Sequence, residues 1–510
     1  MRNHMAAGWF YSPSQIIRYL ATRVSSLKPP RNKQKNLYNV LKTVTRHQWL
    51  MFSVGFLGWT WDAFDYFTVS MTVTELAEEF NSSYSDVSWG MTVTLMLRSV
   101  GAIIFGILAD RYGRKWPMII NLGFFIILEL ASGFCNTLPQ FLGIRSLYGI
   151  AMGGLFGPAA STALEDLPYD ARGLLSGVFE GGYSTGYLLA AAFYRALVPT
   201  TPYGWRSLFW FGAGPPVLII AFRLMLPETN YFQAMKAERE ARVREQEAAG
   251  TGRVRAQGLR SFLKDSRRAL RDNWFLFAYL VVLMAGFNSC SHGSQDFYPT
   301  FLKDQVGISE TGTTIITIVG QIASVFGGAV GGWISDLLGR RLTMLAFCIV
   351  GGAVVPAYIL PRDMSLTAGA FFEQFFAGAV WGPIPIHLLE LAPLALRTSM
   401  MGLTYQLGNL AASASATIQS VIGERYPLPS RNGESRFDYG RVIGIFLGAV
   451  WAFLFFFLFW GPEMSQEERD EEAAAALHLE SLRLEGVDLT LATLEKAAAK
   501  KADEEQVDMV

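Results

Sequence analysis

The sequence predicts an all-α membrane protein in which twelve transmembrane helices form two halves of six. Of the 510 residues, 51% are hydrophobic and 14% are aromatic, and the mean hydropathy is positive. The apolar residues occur in blocks of about twenty, which is the length that crosses a bilayer as a helix. Short motifs from the first half of the chain also return in the second half. These three observations together predict the fold class.

The internal repeat has three parts, which return in the same order. They are Gly106-Ile-Leu-Ala-Asp-Arg-Tyr-Gly-Arg-Lys115 with Gly332-Trp-Ile-Ser-Asp-Leu-Leu-Gly-Arg-Arg341, Glu165-x-x-Pro-x-x-x-Arg172 with Glu390-x-x-Pro-x-x-x-Arg397, and Pro227-Glu228 with Pro462-Glu463. Parallel repeats of this kind relate two halves by an axis along the membrane normal. The repeat therefore predicts two parallel six-helix halves.

The order of apolar and polar segments divides the chain into five parts. These are a basic N-terminal arm (1–48), a first six-helix half (49–226), a hydrophilic linker (227–273), a second six-helix half (274–461) and an acidic tail (462–510). The predicted spans lie at about 49–71, 87–109, 116–136, 138–160, 173–198, 205–226, 274–300, 311–335, 342–360, 365–390, 397–422 and 438–461.

Loop charges predict that both termini are cytoplasmic. Residues 72–88 contain acids but no Lys or Arg, whereas basic residues cluster at 110–115, 172 and 340–341, on the side of the termini by this count. The arm contains no acid, so it either contacts anionic lipid or is a disordered leader. The linker and the tail have the composition of solvated helices, and the tail is a candidate site for cytoplasmic turnover machinery.

A polar stripe interrupts the seventh predicted span. Asn288, His292 and Asp296 recur at every fourth residue and share one helix face. An ionisable residue in a membrane costs several kcal/mol unless it faces a partner or a water-filled cavity. The stripe is therefore predicted to face a path through the protein. His292 changes charge near neutral pH, and Asp296 can orient its imidazole, although a lone histidine is usually structural.

Three further charged residues lie deep in the first half. Arg98 is twelve residues before Asp110, roughly 18 Å along a helix, which puts it near the membrane midplane. A permanent cation there either binds an anion or pairs with Asp62, Asp65 or Glu129. One of the two aspartates would then pair with Arg98 while the other carries a proton, and the sequence does not assign them.

Two groups of residues complete the set of candidates. The repeated loop residues either latch one end of the helices in one conformation or are purely structural; they are Asp110, Arg114, Glu165, Arg172, Asp336, Arg340, Glu390 and Arg397. Glycines at 149, 153 and 154 are expected to allow close helix packing. Gln406 and Asn409 could hydrogen-bond a ligand, and Phe179 could form a wall of the site.

The stretch from Asn288 to Thr300 resembles the signature of fungal lactate permeases, N-x-x-[S/T]-H-x-[S/T]-Q-D-x-x-x-T. Seven positions meet it: Asn288, Ser291, His292, Ser294, Gln295, Asp296 and Thr300. The resemblance implies a major facilitator superfamily fold and transport of lactate, pyruvate or acetate with protons. The segment around Arg98 is similar to one that binds the carboxylate in that family. Phe179, Gln406 and Asn409 are similar to positions that tune selectivity.

The resulting expectation is a proton-coupled monocarboxylate symporter of a fungal plasma membrane. Its substrate-binding residues would be Arg98, Asn288, His292, Gln406, Phe179 and Asn409, and its proton-coupling residues His292, Asp296, Asp62 and Asp65. The proton would be the only coupling ion, and no metal, other cofactor or nucleic acid is expected. Partners would be a small carboxylate, the proton and membrane lipid. No nucleotide loop, metal cluster or nucleophile–base pair suggests an enzyme.

Two alternatives stay open at this point. Related permeases also carry dicarboxylates, and Glu180 adds a negative charge to the fifth span, which bears on that choice. The chain could instead be a sensor that binds an acid and transports little, with residues 465–510 as its output domain.

Overall fold

A computed structural model describes residues 13–27, 36–82, 84–237, 240, 267–393, 396–423, 425–431, 434–464 and 466–484. The predictions for the start of the arm, for most of the linker and for the end of the tail lie outside these residues. The described residues form helices, apart from one two-stranded antiparallel hairpin.

Six spans form the first half. They are span one (Arg46–Met71), span two (Tyr84–Tyr112), span three (Lys115–Gly133), span four (Leu138–Gly153 and Phe156–Leu164), span five (Tyr169–Leu197) and span six (Arg206–Gly212 and Gly214–Met225).

Six spans form the second half. They are span seven (Trp274–Gln295), span eight (Glu310–Leu338), span nine (Arg340–Ile359), span ten (Leu366–Trp381 and Ile384–Leu391), span eleven (Arg397–Ala412 and Ser415–Gly423) and span twelve (Tyr439–Trp460).

Shorter elements lie between and beyond the spans. They are helices Pro13–Ala21, Ser25–Leu27, Leu37–Thr43, Val73–Glu79, Tyr298–Thr300 and Phe301–Val306, strands β1 (Pro427–Arg431) and β2 (Glu434–Phe437), and the tail helix (Gln466–Leu484).

The two halves repeat the same irregularity. Span four breaks between Gly153 and Phe156, and span ten breaks between Trp381 and Ile384, within one helical turn of the corresponding place in the repeat. The fold is thus an all-α bundle of two parallel six-helix halves, as the repeated motifs predicted.

The twelve spans differ in hydropathy. Within the described residues, eight helical segments are long and apolar enough to cross a membrane by length and composition. Spans one, five, ten and eleven are not among the eight. These four carry many of the buried polar residues, including Asp62, Asp65, Glu373 and Gln406. Their low hydropathy is explained by the polar interior that they face.

Close helix packing depends on glycine at two interfaces. A Cβ on Gly153 of span four would lie 1.7 Å from the backbone oxygen of Arg98 in span two. A Cβ on Gly177 of span five would lie 1.9 Å from the backbone oxygen of Gly328 in span eight, which belongs to the other half. Any larger residue would push these helices apart, so the expectation of close packing at Gly153 is confirmed.

We expect Gly153→Ala to destabilise the protein by about 1–3 kcal/mol, because the added carbon meets backbone that cannot move independently. The measurement is the thermal unfolding of the purified protein in detergent. Gly448→Ala in span twelve is the matched control, since a Cβ there meets nothing within 4 Å. Equal melting temperatures for the two variants would contradict this account of the packing.

Candidate functional site

A cavity lies between the two halves of the bundle. Spans one and five line it from the first half, and spans seven, eight, ten and eleven line it from the second. Its lining includes aromatic side chains, Phe67, Tyr183, Trp381 and Tyr405, and several polar ones. A space bounded by both halves changes shape whenever the halves move relative to each other.

The polar stripe of span seven faces this cavity. Asn288, Ser291, His292, Gln295 and Asp296 all line it. Span seven is helical up to Gln295, which keeps every fourth residue on one face. The stripe, which the sequence predicted to face a path through the protein, thus faces this cavity.

His292 is held at both ring nitrogens. Its Nδ1 lies 2.9 Å from Asp296 Oδ2, and its Nε2 lies 2.8 Å from Asn409 Oδ1 of span eleven. With Nδ1–H donated to Asp296, a charged imidazolium donates its second proton to the Asn409 oxygen. A neutral ring instead accepts from the Asn409 amide group once that amide has flipped. The site can hold either protonation state of His292 without losing a hydrogen bond.

Arg98 is paired with an acid. Its Nη2 lies 2.6 Å from Asp62 Oδ2, and both side chains are buried. Asp65 instead accepts a hydrogen bond from Tyr148 at 2.5 Å. The structure thus has the ion-pair arrangement that the sequence left open, with Asp62 as the partner. Arg98 does not line the cavity, although it lies near Tyr183 and Tyr405, which do.

Two residues from the sequence prediction lie behind the cavity wall. Phe179 is fully buried and stacks on Trp59, with ring centroids 6.2 Å apart. Gln406 is also fully buried, and neither polar atom of its side chain has a hydrogen-bond partner in the described part of the chain. Their neighbours Glu180 and Tyr405 line the cavity instead. Of the selectivity candidates, only Asn409 reaches the cavity surface.

Glu180 was not among the predicted site residues. It lines the cavity from span five, and its Oε2 atom is buried without a hydrogen-bond partner among the described residues. The available signal was a carboxylate about twelve residues inside a helix that starts at Tyr169. No group of three or more possible metal ligands occurs in the described ranges.

Comparison with known proteins identifies the family. Residues 43–473 match the sugar (and other) transporter family. The chain belongs to this family.

Relatives of this transporter include proteins that are named for carboxylic acids. It is 38% identical over 459 residues to a carboxylic acid transporter protein homolog of Saccharomyces cerevisiae, which covers 89% of this chain and 74% of the relative. It is 26% identical over 387 residues to the cis,cis-muconate transport protein of Acinetobacter baylyi, covering 74% and 89%.

A solved structure shares the fold of the transporter. A proton:xylose symporter of the major facilitator superfamily superposes with a TM-score of 0.66 at 18% identity, covering 83% of this chain and 98% of the symporter. The fold is therefore that of the major facilitator superfamily, embedded in a membrane.

The repeated loop aspartates join the two halves of the transporter at one end. Asp110, at the end of span two, accepts from the backbone N–H groups of Thr398 (3.1 Å) and Ser399 (2.8 Å), at the start of span eleven. Asp336, at the end of span eight, accepts from those of Gly173 (3.0 Å) and Leu174 (3.1 Å) in span five. Each carboxylate thus binds backbone N–H groups within the first two turns of a helix of the opposite half, near the positive end of that helix. We call these two contacts the latches.

Buried arginines support each latch. In the first half, Arg114 bonds to Glu165 at 2.7 Å and lies 3.8 Å from Asp110. In the second half, Arg340 bonds to Asp336 at 2.6 Å and to Glu390 at 3.0 Å.

The other two repeated arginines make different contacts. Arg172 donates to the backbone oxygens of Leu167 (3.0 Å) and Glu165 (3.3 Å). The Arg397 guanidinium lies 4.6 Å from the centre of the Tyr231 ring. Of the eight repeated loop residues, Asp110 and Asp336 thus form the latches, and Arg114, Glu165, Arg340 and Glu390 form the ion pairs beside them.

The tail helix packs at the same end as the latches. Glu480 accepts from Thr45 Oγ1 at 2.8 Å and from Asn230 Nδ2 at 2.9 Å; Thr45 directly precedes span one, and Asn230 follows span six of the first half. Nearby, between spans four and five, burial raises the pKa of Asp166 to about 7, although backbone N–H groups of Asn230 and Tyr231 donate to it. The tail therefore connects the second half, from which it emerges, to the first.

We expect Asp110→Asn to open the latch end more often, because loss of a capping carboxylate costs about 1 kcal/mol, or roughly fivefold in population. The reporter is Ser161→Cys, a buried position 3.1 Å from Thr398 across the halves. Maleimide labelling of the purified protein, with the three native cysteines replaced by alanine, should rise about fivefold. Asp363→Asn, which alters an exposed loop between spans nine and ten, is the control. Unchanged labelling in Asp110→Asn would refute the latch.

Proposed function

We propose that this transporter is a proton-coupled symporter that imports small monocarboxylates such as lactate, pyruvate or acetate. The observation that carries the proposal is the His292–Asp296 pair, which lines the cavity between the two halves at a nitrogen–oxygen distance of 2.9 Å. An imidazole in contact with a carboxylate can gain and lose a proton near neutral pH. Its place in a space shared by both halves lets protonation and movement influence each other.

The names of the relatives support a carboxylate as cargo. The yeast relative is named as a carboxylic acid transporter homolog, and the bacterial one as a muconate transport protein. The signature between Asn288 and Thr300 supports a lactate-type acid within that class. Dicarboxylate transport is the second candidate, because muconate itself has two carboxyl groups.

The size of the cavity favours a small acid. The cavity volume is about 50 Å³, and one water molecule needs about 10–15 Å³ of such volume. The space therefore holds a few waters or one molecule of a few heavy atoms. An acid of two or three carbons fits that size better than a six-carbon diacid does.

Coupling to a proton makes the import of an anion feasible. An inside-negative membrane opposes each entering negative charge by about 2.3 kcal/mol per 100 mV. One accompanying proton removes that cost and adds about 1.4 kcal/mol for each unit of pH gradient.

The proposed cycle is alternating access. From the outside, the His292–Asp296 pair takes a proton, and the anion enters the cavity beside it. Protonation of Asp62 would free the Arg98 guanidinium to attract the anion from behind the cavity wall. The latches then open, the halves rock, and anion and proton leave inward. Asp65, bonded to Tyr148, is the remaining candidate for a coupled proton.

The proposed location is the plasma membrane, with both termini in the cytoplasm. Support comes from the basic arm and from the loop arginines, which lie at the latch end together with the tail helix. That end would then be the cytoplasmic one, and the structure would correspond to a state closed to the inside.

We expect uptake of labelled lactate to be saturable, faster at external pH 5 than at pH 7, and abolished by a protonophore. The measurement uses cells without carriers of their own. His292→Ala and Asp296→Ala should each lower uptake by at least tenfold at pH 5, since each removes half of the proton-binding pair. His478→Ala, an exposed histidine on the tail helix, should transport normally. Surface levels of every variant are measured in parallel.

Each alternative has its own outcome in this assay. Uptake of succinate without uptake of lactate would replace the monocarboxylate proposal with the dicarboxylate one. Lactate binding without uptake at either pH would favour the sensor. Normal proton-dependent uptake in His292→Ala would remove this histidine from the mechanism.

A further inference from the structure

Glu180 differs from the other charged and amide side chains that line the cavity. His292 is bonded to Asp296 and Asn409, the Asn288 amide donates to the backbone oxygen of Met284 at 2.9 Å, and the Gln295 amide donates to Gln374 at 2.9 Å. The Glu180 carboxyl forms no hydrogen bond within the described ranges, and its Oε2 is buried. It is a polar group that remains available to a ligand.

The charges around Glu180 do not balance a carboxylate. Its own span contributes Tyr183 to the cavity, span seven contributes His292 and Asp296, and span eleven contributes Tyr405. The two phenols are neutral at physiological pH, and the imidazole is already in contact with Asp296. Arg98 of span two is paired with Asp62. In the described part of the chain, no cation pairs with the Glu180 carboxyl.

An unpaired carboxylate buried in a membrane protein is strongly disfavoured, so the group holds a proton instead. A neutral carboxylic acid is a hydrogen-bond donor, and a carboxylate substrate is an acceptor. A hydrogen bond from a neutral acid to an ionised carboxylate is short and strong. The hydroxyls of Tyr183 and Tyr405, which also line the cavity, can donate as well.

We propose that Glu180 binds the substrate as a neutral acid, donating a hydrogen bond to its carboxylate and so serving as a specificity residue of the site. This inference rests on the proposed function, since it assumes a carboxylate in the cavity. If Glu180 loses its proton at higher external pH, the donor becomes a repelling charge. Substrate affinity should therefore fall as pH rises, separately from the effect of the proton gradient on the rate.

The same arrangement selects the substrate class. A monocarboxylate presents one charged end to Glu180 and the phenols and an uncharged remainder to the aromatic side chains of the lining. A dianion brings a second negative charge into a lining that contains no Lys or Arg among the described residues. The site is therefore built for an anion with a single carboxylate and a short uncharged remainder.

The test compares Glu180→Gln with Glu180→Leu in the lactate uptake assay, with KM and maximal rate measured at external pH 5, 6 and 7. Glutamine keeps a neutral donor that does not titrate. Its KM should stay within about twofold of the wild-type value at pH 5 and should not rise toward pH 7, whereas the wild-type KM should rise. Leucine removes the donor and should raise KM by about tenfold at pH 5, with the maximal rate changed less.

Glu373→Gln is the matched control, because Glu373 is a buried glutamate of span ten that bonds to Trp451 and does not line the cavity. It should retain the wild-type pH dependence of KM. Surface levels, and monodisperse elution of the purified proteins, show that each variant folds.

Two results would overturn the inference while leaving the symport proposal intact. One is a wild-type KM in Glu180→Leu, and the other is a wild-type pH dependence of KM in Glu180→Gln. A second measurement is the rise in melting temperature of the purified protein on adding lactate. It detects binding even if the protein does not transport. There, Glu180→Leu should lose the rise. If the wild type neither transports nor binds lactate, both proposals fail together.

Discussion

The cost of an unpaired charge in a membrane determines the arrangement of this protein's polar interior. Four buried arginines of the spans and their loops each meet a carboxylate within hydrogen-bond distance; the pairs are Arg98–Asp62, Arg114–Glu165, Arg145–Glu129 and Arg340–Glu390. Pairing lets these charges lie inside the bundle, where they fix the relative positions of helices rather than adding net stability. The cavity is where this rule is relaxed, because a ligand and a proton can complete the balance there.

The backbone follows the same division between fixed and adjustable regions. Spans two and four meet through Gly153, within one half, and spans five and eight meet through Gly177 and Gly328, between the halves. The second contact brings the two halves together backbone to backbone, since no side chain stands between them at these glycines. A close contact between two packed halves is a place where a rocking movement changes the interface.

Much of this organisation could be predicted from the sequence. The repeated motifs established two parallel halves, and the spacing of Asn288, His292 and Asp296 placed them on one face directed at a cavity. The partner of Arg98 could not be chosen, because Asp62 and Asp65 are less than one helical turn apart and the sequence does not show which faces span two.

The orientation of each helix about its own axis also explains the residues that the prediction missed. Phe179 and Gln406 lie behind the wall, while Glu180 and Tyr405, one position away, line the cavity. Neighbouring residues on a helix point about 100° apart. An error of one position in the assumed orientation of the helix therefore exchanges a residue of the cavity wall for a buried one. Only the packing of neighbouring helices fixes that angle.

The two latches carry a consequence of their own, because both hold the same interface from opposite sides. Separating the halves there breaks four hydrogen bonds between carboxylates and backbone N–H groups, so opening only one of the two contacts gains little and both are expected to open together.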